Sequence, residues 1–346
     1  MKIGLIDYKG KLVNLALLKL SAFHKASGDE VVLNPASPEG LDKTYVSVIL
    51  KENRDKAVKQ YGHYPNVEFG GPGYSLDAKL PLEVDRMRPD YNLYSLLDVY
   101  ENIKMRPGPI ESKMKLAGEL MNAGIGYTTR GCPNSCSWCV VPISEGKLHS
   151  VGSIGELINP KSNIVMIMDN SFTADPDCLE KMKEIKERKL RVNIVQGVDV
   201  RRVTPEIARA LSELNHYKSL HMAWDVKQTE KSVFGGINVL AEFVNPSRMM
   251  VYCLCGYNST FEEDMYRVVR LKERGLRPYI MLYKSPFDTK EATKTDYVKI
   301  RLQHFKRWVN TPKALYKKIA FDDYEPWVKV RNKLPGAVGA SQISMF

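Results

Sequence analysis

Three cysteines stand close together in Gly131-Cys132-Pro133-Asn134-Ser135-Cys136-Ser137-Trp138-Cys139, at intervals of four and three. Thiolates are soft ligands for iron, and a cluster of four irons needs four ligands. Three thiolates in one short loop point to a [4Fe-4S] cluster on Cys132, Cys136 and Cys139, with one iron open to a ligand that reacts. A Cys-x2-Cys pair also serves zinc sites and dithiols. Zinc lacks a second pair at suitable spacing here, since Cys253 and Cys255 are two apart with no histidine close after either. A disulfide framework is a poor fit, because three crowded cysteines cannot all pair.

The pattern Cys-x3-Cys-x-aromatic-Cys, with Trp138 as the aromatic, resembles the signature of the radical SAM superfamily. The likeness covers about residues 120–290. It implies that the open iron binds the amino and carboxylate groups of S-adenosylmethionine (SAM). Reductive cleavage of the sulfonium then yields methionine and a 5′-deoxyadenosyl radical, which abstracts hydrogen from a substrate. Trp138 matches the family residue that packs beside adenine, or it anchors the loop. Asp169-Asn170-Ser171-Phe172 stands where the family holds the SAM amino group, although the usual Gly-Gly-Glu form is absent. Asp169 can accept from an ammonium and Asn170 can make a directional contact; the alternative for Asp169 is a cap at a strand exit. Gln196-Gly197-Val198-Asp199-Val200-Arg201 resembles a Gly-x-Asp-x-Arg stretch that lines the SAM and substrate cavity. Gln196, Asp199 and Arg201 are therefore SAM-contact candidates, with an Asp199–Arg201 salt bridge as the alternative. Arg130 is placed to meet the cluster or the SAM carboxylate, or lies on the surface. Cys255 is the candidate catalytic thiol, set against the frequency of buried structural cysteine.

These residues need strands to present them. Lys2–Asp7, Glu30–Leu33, Tyr45–Leu50 and Asn66–Phe69 read as strands, and Leu12–Lys25 as a helix. Alternation of this kind predicts a parallel sheet, a Rossmann-like (flavodoxin-like) domain over residues 1–76. Gly70-Gly71-Pro72-Gly73 after its last strand reads as a plain turn or a ligand-contacting loop. Residues 77–121, broken by Pro81, Pro89, Pro107 and Pro109, form a connector. Asp90-Tyr91-Asn92-Leu93-Tyr94 within it covers an active site or packs domains together. Gly124–Thr129, Asn163–Met168, Val192–Gln196, Leu220–Trp224, Met249–Leu254 and Pro278–Tyr283 read as six further strands separated by helices. They match the partial (β/α)6 barrel of the resembled family over residues 122–290, whose active site gathers at the strand C-termini. His221 and Asp225 flank the fourth of these strands, Asp225 as a pocket candidate and His221 as a core hydrogen-bonding residue or an acid/base group.

The first domain resembles the cobalamin-binding domain that precedes many radical SAM cores. Its ligating motif, Asp-x-His-x-x-Gly, is not met: Asp7-Tyr8-Lys9-Gly10 carries no histidine, and His24 reads as a surface or boundary residue. Cobalamin without a protein ligand, and a degenerate domain, are the two readings. A cobalamin-dependent methyltransferase is the alternative reaction, and a non-enzymatic iron–sulfur or zinc nucleic-acid-binding protein the alternative class.

Residues 291–346 read as a basic, aromatic C-terminal helical extension, with Arg301, Lys306, Arg307, Lys313, Lys317 and Lys318 interleaved with Phe305, Trp308 and Tyr316. A helix with aromatics inward and cations outward explains this pattern; an RNA platform is the alternative. The formal charge of +11 over 346 residues favours an anionic partner without naming one. Met1–Asp7 reads as a strand and not as a signal peptide, and no run approaches a membrane span. An oxygen-labile cluster implies a reducing cytoplasm and a one-electron donor such as flavodoxin or ferredoxin.

Overall fold

The computed structural model describes residues 1–285, 296–311, 318–331 and 333. It divides into two compact units, residues 1–196 with 213–218, and residues 197–212 with 219 onward.

The first unit opens with β1 (Lys2–Asp7), α1 (Leu15–Ala26), β2 (Glu30–Leu33), β3 (Lys43–Ser47), α2 (Arg54–Tyr61) and β4 (Val67–Gly70). The four strands form one parallel sheet in the order β2-β1-β3-β4, the flavodoxin-like order expected. β1 is a nearly unbroken apolar run with Ile3, Leu5 and Ile6 buried, as a strand covered on both faces must be. α1 starts at Leu15 and not at Leu12, because the Asn14 side chain accepts from the Ala16 and Leu17 amides and caps the helix there. β3 ends at Ser47, before the expected Leu50. Gly71 has φ +93, and a Cβ there would sit 2.6 Å from the Val48 carbonyl oxygen. The Gly73 N–H donates to that same oxygen at 2.9 Å. The glycine run is thus a turn packed against the chain leaving β3. His24 is buried, not superficial: its ring nitrogens meet Asp29 at 2.7 Å and Tyr45 at 3.2 Å.

The connector carries α3 (Leu82–Asp85), α4 (Leu96–Ile103) and α5 (Ile110–Asn122). Its tyrosines stitch the unit together. Tyr91 donates to the Leu157 carbonyl at 2.8 Å and accepts from the Ile125 amide at 3.1 Å. Tyr94 donates to Asp7 at 2.8 Å. One apolar core joins Val13 and Leu18 to Val99, Ile103, Leu120, Ile125, Ile164 and Met166. That shared core is why residues 1–76 merge with the connector and the second sheet instead of standing apart.

The same unit continues with β5 (Gly124–Gly126), β6 (Thr129–Arg130), α6 (Val141–Ser144), β7 (His149–Ser150), α7 (Ile154–Leu157), β8 (Ile164–Ile167), α8 (Cys178–Glu187), β9 (Arg191–Ile194) and β10 (Asn215–His216). A second parallel sheet runs β10-β9-β8-β5. The expected first core strand, Gly124–Thr129, is broken at Tyr127 and Thr128, and its second half leaves this sheet to pair antiparallel with β7.

The second unit holds α9 (Pro205–Glu213), β11 (Leu220–Ala223), α10 (Glu230–Ala241), β12 (Met249–Cys255), α11 (Phe261–Glu273), β13 (Arg277–Leu282), α12 (Asp296–Asn310) and α13 (Glu325–Arg331). Its parallel sheet is β11-β12-β13. The six strands expected over 122–290 thus occur, but in two sheets belonging to different units. In the C-terminal part Phe305, Trp308, Phe321 and Trp327 are all buried, and the Phe321 and Trp327 rings stack at 5.6 Å. Aromatics facing a core cannot also stack on bases. Lys313, Tyr316, Lys317 and residues 334–346 lie outside the described residues.

Candidate functional site

The cysteine loop leaves β6 and returns through β7, so a two-residue antiparallel ladder closes its base. Gly131 begins it with φ +75; a Cβ there would lie 2.2 Å from the Lys147 carbonyl oxygen, so only glycine fits where the two ends pass. The Cys132 amide donates to Gly146 at 3.1 Å, and the Cys139 amide to Cys136 at 3.0 Å. Cys132, Cys136 and Cys139 are reduced thiols and partly exposed, whereas Cys178, Cys253 and Cys255 are buried. Two N–H groups point at sulfur: Asn134 Nδ2 lies 3.6 Å from Cys132 Sγ, and the Val141 amide 3.5 Å from Cys139 Sγ. Such donors would tune a cluster held by these sulfurs. Among the described residues no three His, Cys, Asp or Glu side chains gather around one point that would hold a single metal ion. Mononuclear zinc needs that convergence. An iron–sulfur cube takes one thiolate per iron, and three soft, accessible donors in one loop fit it.

Two carboxylates fix this loop. Asp169 follows β8 and is fully buried. One oxygen accepts from the Thr128 amide at 2.7 Å. The other accepts from the Thr128 hydroxyl at 2.5 Å, the Thr129 amide at 3.0 Å and the Thr129 hydroxyl at 2.8 Å. Four donors use up this carboxylate, so Asp169 pins the chain entering the loop instead of facing ligand space. The buried Lys181 ammonium donates to the Thr128 hydroxyl at 3.0 Å and to Asp175. Glu145, at the far end of the loop, was not singled out by the sequence. It accepts from the Gly131 amide at 3.0 Å, from Asn170 Nδ2 at 2.8 Å and from Arg130 Nη1 at 3.3 Å. It therefore ties both ends of the cysteine loop to the residue after Asp169. Arg130 also lies 3.6 Å over the Tyr127 ring, a cation–π contact that keeps it at the loop base. The sequence signals for these residues were faint: a Thr-Thr pair before the glycine, and an acid immediately after an apolar strand.

Cys132, Cys136, Cys139, Trp138, Asp169, Asn170 and Gln196 all fall in the first unit. Trp138 is partly buried, and Gln196 is exposed after β9. Asp199, Arg201 and Cys255 belong to the second unit. There Arg201 forms a two-point salt bridge to Asp199, at 2.7 and 2.8 Å, with Arg202 beside it at 3.5 Å. Cys255 closes β12 without exposed surface, its sulfur 3.7 Å from the Cys253 carbonyl. Burial pushes its pKa well above the ordinary thiol value and pushes that of Cys253 up to about 12, so both stay protonated at neutral pH. Arg267 of α11 lies beneath them, donating to the Trp224, Asp225 and Leu254 carbonyls and to Asp264 at 2.6–2.7 Å. Asp264 in turn accepts from the Gly256 amide at 3.0 Å and the Ser259 hydroxyl at 2.8 Å. The pair fixes the turn after β12. His221 is buried, its ring 5.4 Å from Tyr252.

The residues at the first sheet do not fit cobalamin. In this strand order a ligand enters where β1 and β3 end. There the Asp7 carboxylate accepts from Tyr94 at 2.8 Å and from Asn14 Nδ2 at 3.4 Å, and Asn14 also donates to Ser47 at 2.8 Å. Asn14, Ser47 and Tyr94 are buried, and the α1 N-terminus is already capped. The side chains at these strand ends bond to one another, and none of them is a histidine that could ligate cobalt.

No family model matches the chain, and no curated protein matches it. Among the solved structures similar to it are two of SuiB from Streptococcus suis, one of them bound to S-adenosylmethionine. The first is 13% identical over 63% of this chain, and the SAM-bound one 10% over 66%, each with a TM-score of 0.39. This chain spans 54% and 64% of their respective lengths. A likeness of that size assigns neither fold nor activity to this chain.

Proposed function

We propose that the chain is a radical SAM enzyme. With a [4Fe-4S] cluster on Cys132, Cys136 and Cys139 and an electron from a flavodoxin- or ferredoxin-type donor, it splits SAM into methionine and a 5′-deoxyadenosyl radical. That radical takes a hydrogen atom from a substrate and leaves as 5′-deoxyadenosine. When bound, the cluster supplies the electron for this cleavage. The observation that carries the reading is a loop holding three accessible thiols at intervals of four and three, anchored at its base.

The chain's own residues divide the work around that loop. The Asn134 and Val141 N–H groups point at the Cys132 and Cys139 sulfurs and would tune a cluster held there. Asp169, through Thr128 and Thr129, and Glu145, through Gly131, are positioning residues. Asn170 stays with Glu145 at the loop mouth, where their paired amide and carboxylate suit a polar part of SAM. Trp138 and Gln196 are proposed SAM contacts; Asp199 and Arg201, which pair with each other, are proposed as contacts on the Gly-x-Asp-x-Arg resemblance. Cys255, neutral and sealed, suits packing better than catalysis. The partial (β/α)6 barrel and a reducing cytoplasmic setting are part of the same proposal. Parallel strand order within each unit supports the barrel.

The test is anaerobic reconstitution with iron and sulfide, followed by SAM and a strong reductant. Methionine and 5′-deoxyadenosine are the expected products; an intact cluster that forms neither would sink the reading.

A further inference from the structure

The second unit contains a cavity of about 340 Å³ between the turn after β12 and the first half of α12. Small-molecule sites start at about 300 Å³, and ligands of α/β sheets sit beyond strand C-termini, as here. Phe261, Tyr297, Val298 and Leu302 make most of the wall, and Arg301 enters it as a cation. The Arg301 guanidinium lies 3.6 Å above the Phe261 ring. Its ion-pair partner is Glu262 at 3.7 Å, on a side chain 75% exposed, which neutralises it poorly. The Arg301 Nε is buried and has no hydrogen-bond partner among the described residues. Proteins leave few buried donors in that state. The wall behind is stiff: Phe261 packs on Phe305 and Phe321 at 5.0 and 5.4 Å, and Tyr297 on Trp327 at 5.7 Å.

The charge balance selects among anions. The Gly256 amide already donates to Asp264, and the Thr260 amide to Glu263. Neither is left to cradle a phosphate. The first turn of α11 carries Glu262, Glu263 and Asp264, which repel a dianion. A single carboxylate asks for less, because a guanidinium edge offers it two parallel donors.

We propose that this cavity binds an organic monocarboxylate with an apolar, ring-bearing body. Its carboxylate lies on Arg301 and its body lies against Phe261, Tyr297 and Leu302. The proposal concerns the second unit alone and needs no metal, so it stands or falls independently of SAM cleavage.

Calorimetric titration of the full metal-free chain tests it, with 3-phenylpropanoate, its uncharged amide and inorganic phosphate as probes. The acid binds saturably; the amide binds about tenfold more weakly, and Arg301→Met loses about tenfold toward the acid, as expected for a charge-assisted bidentate pair. Glu262→Gln, which frees the guanidinium, tightens the acid, and phosphate gives no saturable heat. Equal binding of acid and amide reduces the cavity to an apolar slot and overturns the proposal. So does phosphate binding more tightly than the acid, or no saturable binding of any probe. Thermal melts of both variants confirm folding; if Arg301→Met does not fold, the acid–amide comparison and Glu262→Gln carry the test.

Discussion

Asp169 and Glu145 are both carboxylates beside the cysteine loop, yet they differ in what their loss does. Asp169 accepts four hydrogen bonds in full burial. In Asp169→Asn the amide NH2 faces donors, so the chain loses about 3 kcal/mol of stability, measurable by urea unfolding of the metal-free chain. Glu145 is partly exposed and holds the loop closed through the Gly131 amide. Glu145→Ala leaves stability within about 1 kcal/mol but lowers iron affinity about tenfold, the usual effect of an outer-shell partner. Iron retained against a graded chelator reads this directly. Asp7 carries a pH signature. Burial raises its folded pKa above the unfolded value, against the lowering pull of Tyr94 and Asn14. The folded state thus holds its proton more tightly. The stability this group contributes is complete below the unfolded pKa and is lost as pH rises through the folded one. Wild type minus Asp7→Asn in unfolding free energy therefore falls with rising pH across the acid range; a flat difference would refute the assignment.

Among the elements, α11 bears the heaviest polar duty. It delivers Arg267 to three strand-end carbonyls and pairs it with Asp264 in full burial. Arg267→Met strands the Asp264 charge and costs about 3–5 kcal/mol, with β12 losing hydrogen-exchange protection first. The helix follows local rules: Thr260 and Glu263 form a capping box, and Gly275 follows its end. Legibility was good wherever a local rule decides. β1 starts and stops where its apolar run does, since burial on both faces leaves no other pattern; β2, an edge strand, also covers the expected residues. It failed where a distant group decides. The break after Gly126 is imposed by Asp169, forty-one residues away from Thr128. The merging of residues 1–76 with the second sheet depends on Tyr91 and Tyr94, whose partners no spacing reveals. At the site, the cysteines were legible from their spacing, whereas Glu145 was not, because its role comes from loop closure. Asp199 and Arg201 took the local option of pairing with each other.

For the whole molecule the question is how a chain of formal charge +11 meets its partners. Phe305, Trp308, Phe321 and Trp327 of the C-terminal part are turned inward, so association of these residues with RNA cannot draw on stacking. Any RNA binding is expected to be indifferent to sequence and to fall steeply between low and moderate salt; a sequence-selective, salt-tolerant complex would contradict this. No helix among the described residues is long and apolar enough to cross a membrane. The first sheet, with Tyr94, Asn14, Asp7 and Ser47 bonded to one another at its strand ends, is expected to give no corrin absorbance after incubation with cobalamin.

The division of the six cysteines into three partly exposed and three buried makes the chain its own gauge. A maleimide reagent added to the metal-free protein should label three thiols at once and the other three only as the fold opens. Loading the loop with iron and sulfide should silence the fast set while leaving the slow set untouched. A single mass spectrum can then report, in separate counts, how much of a preparation is folded and how much is charged with metal.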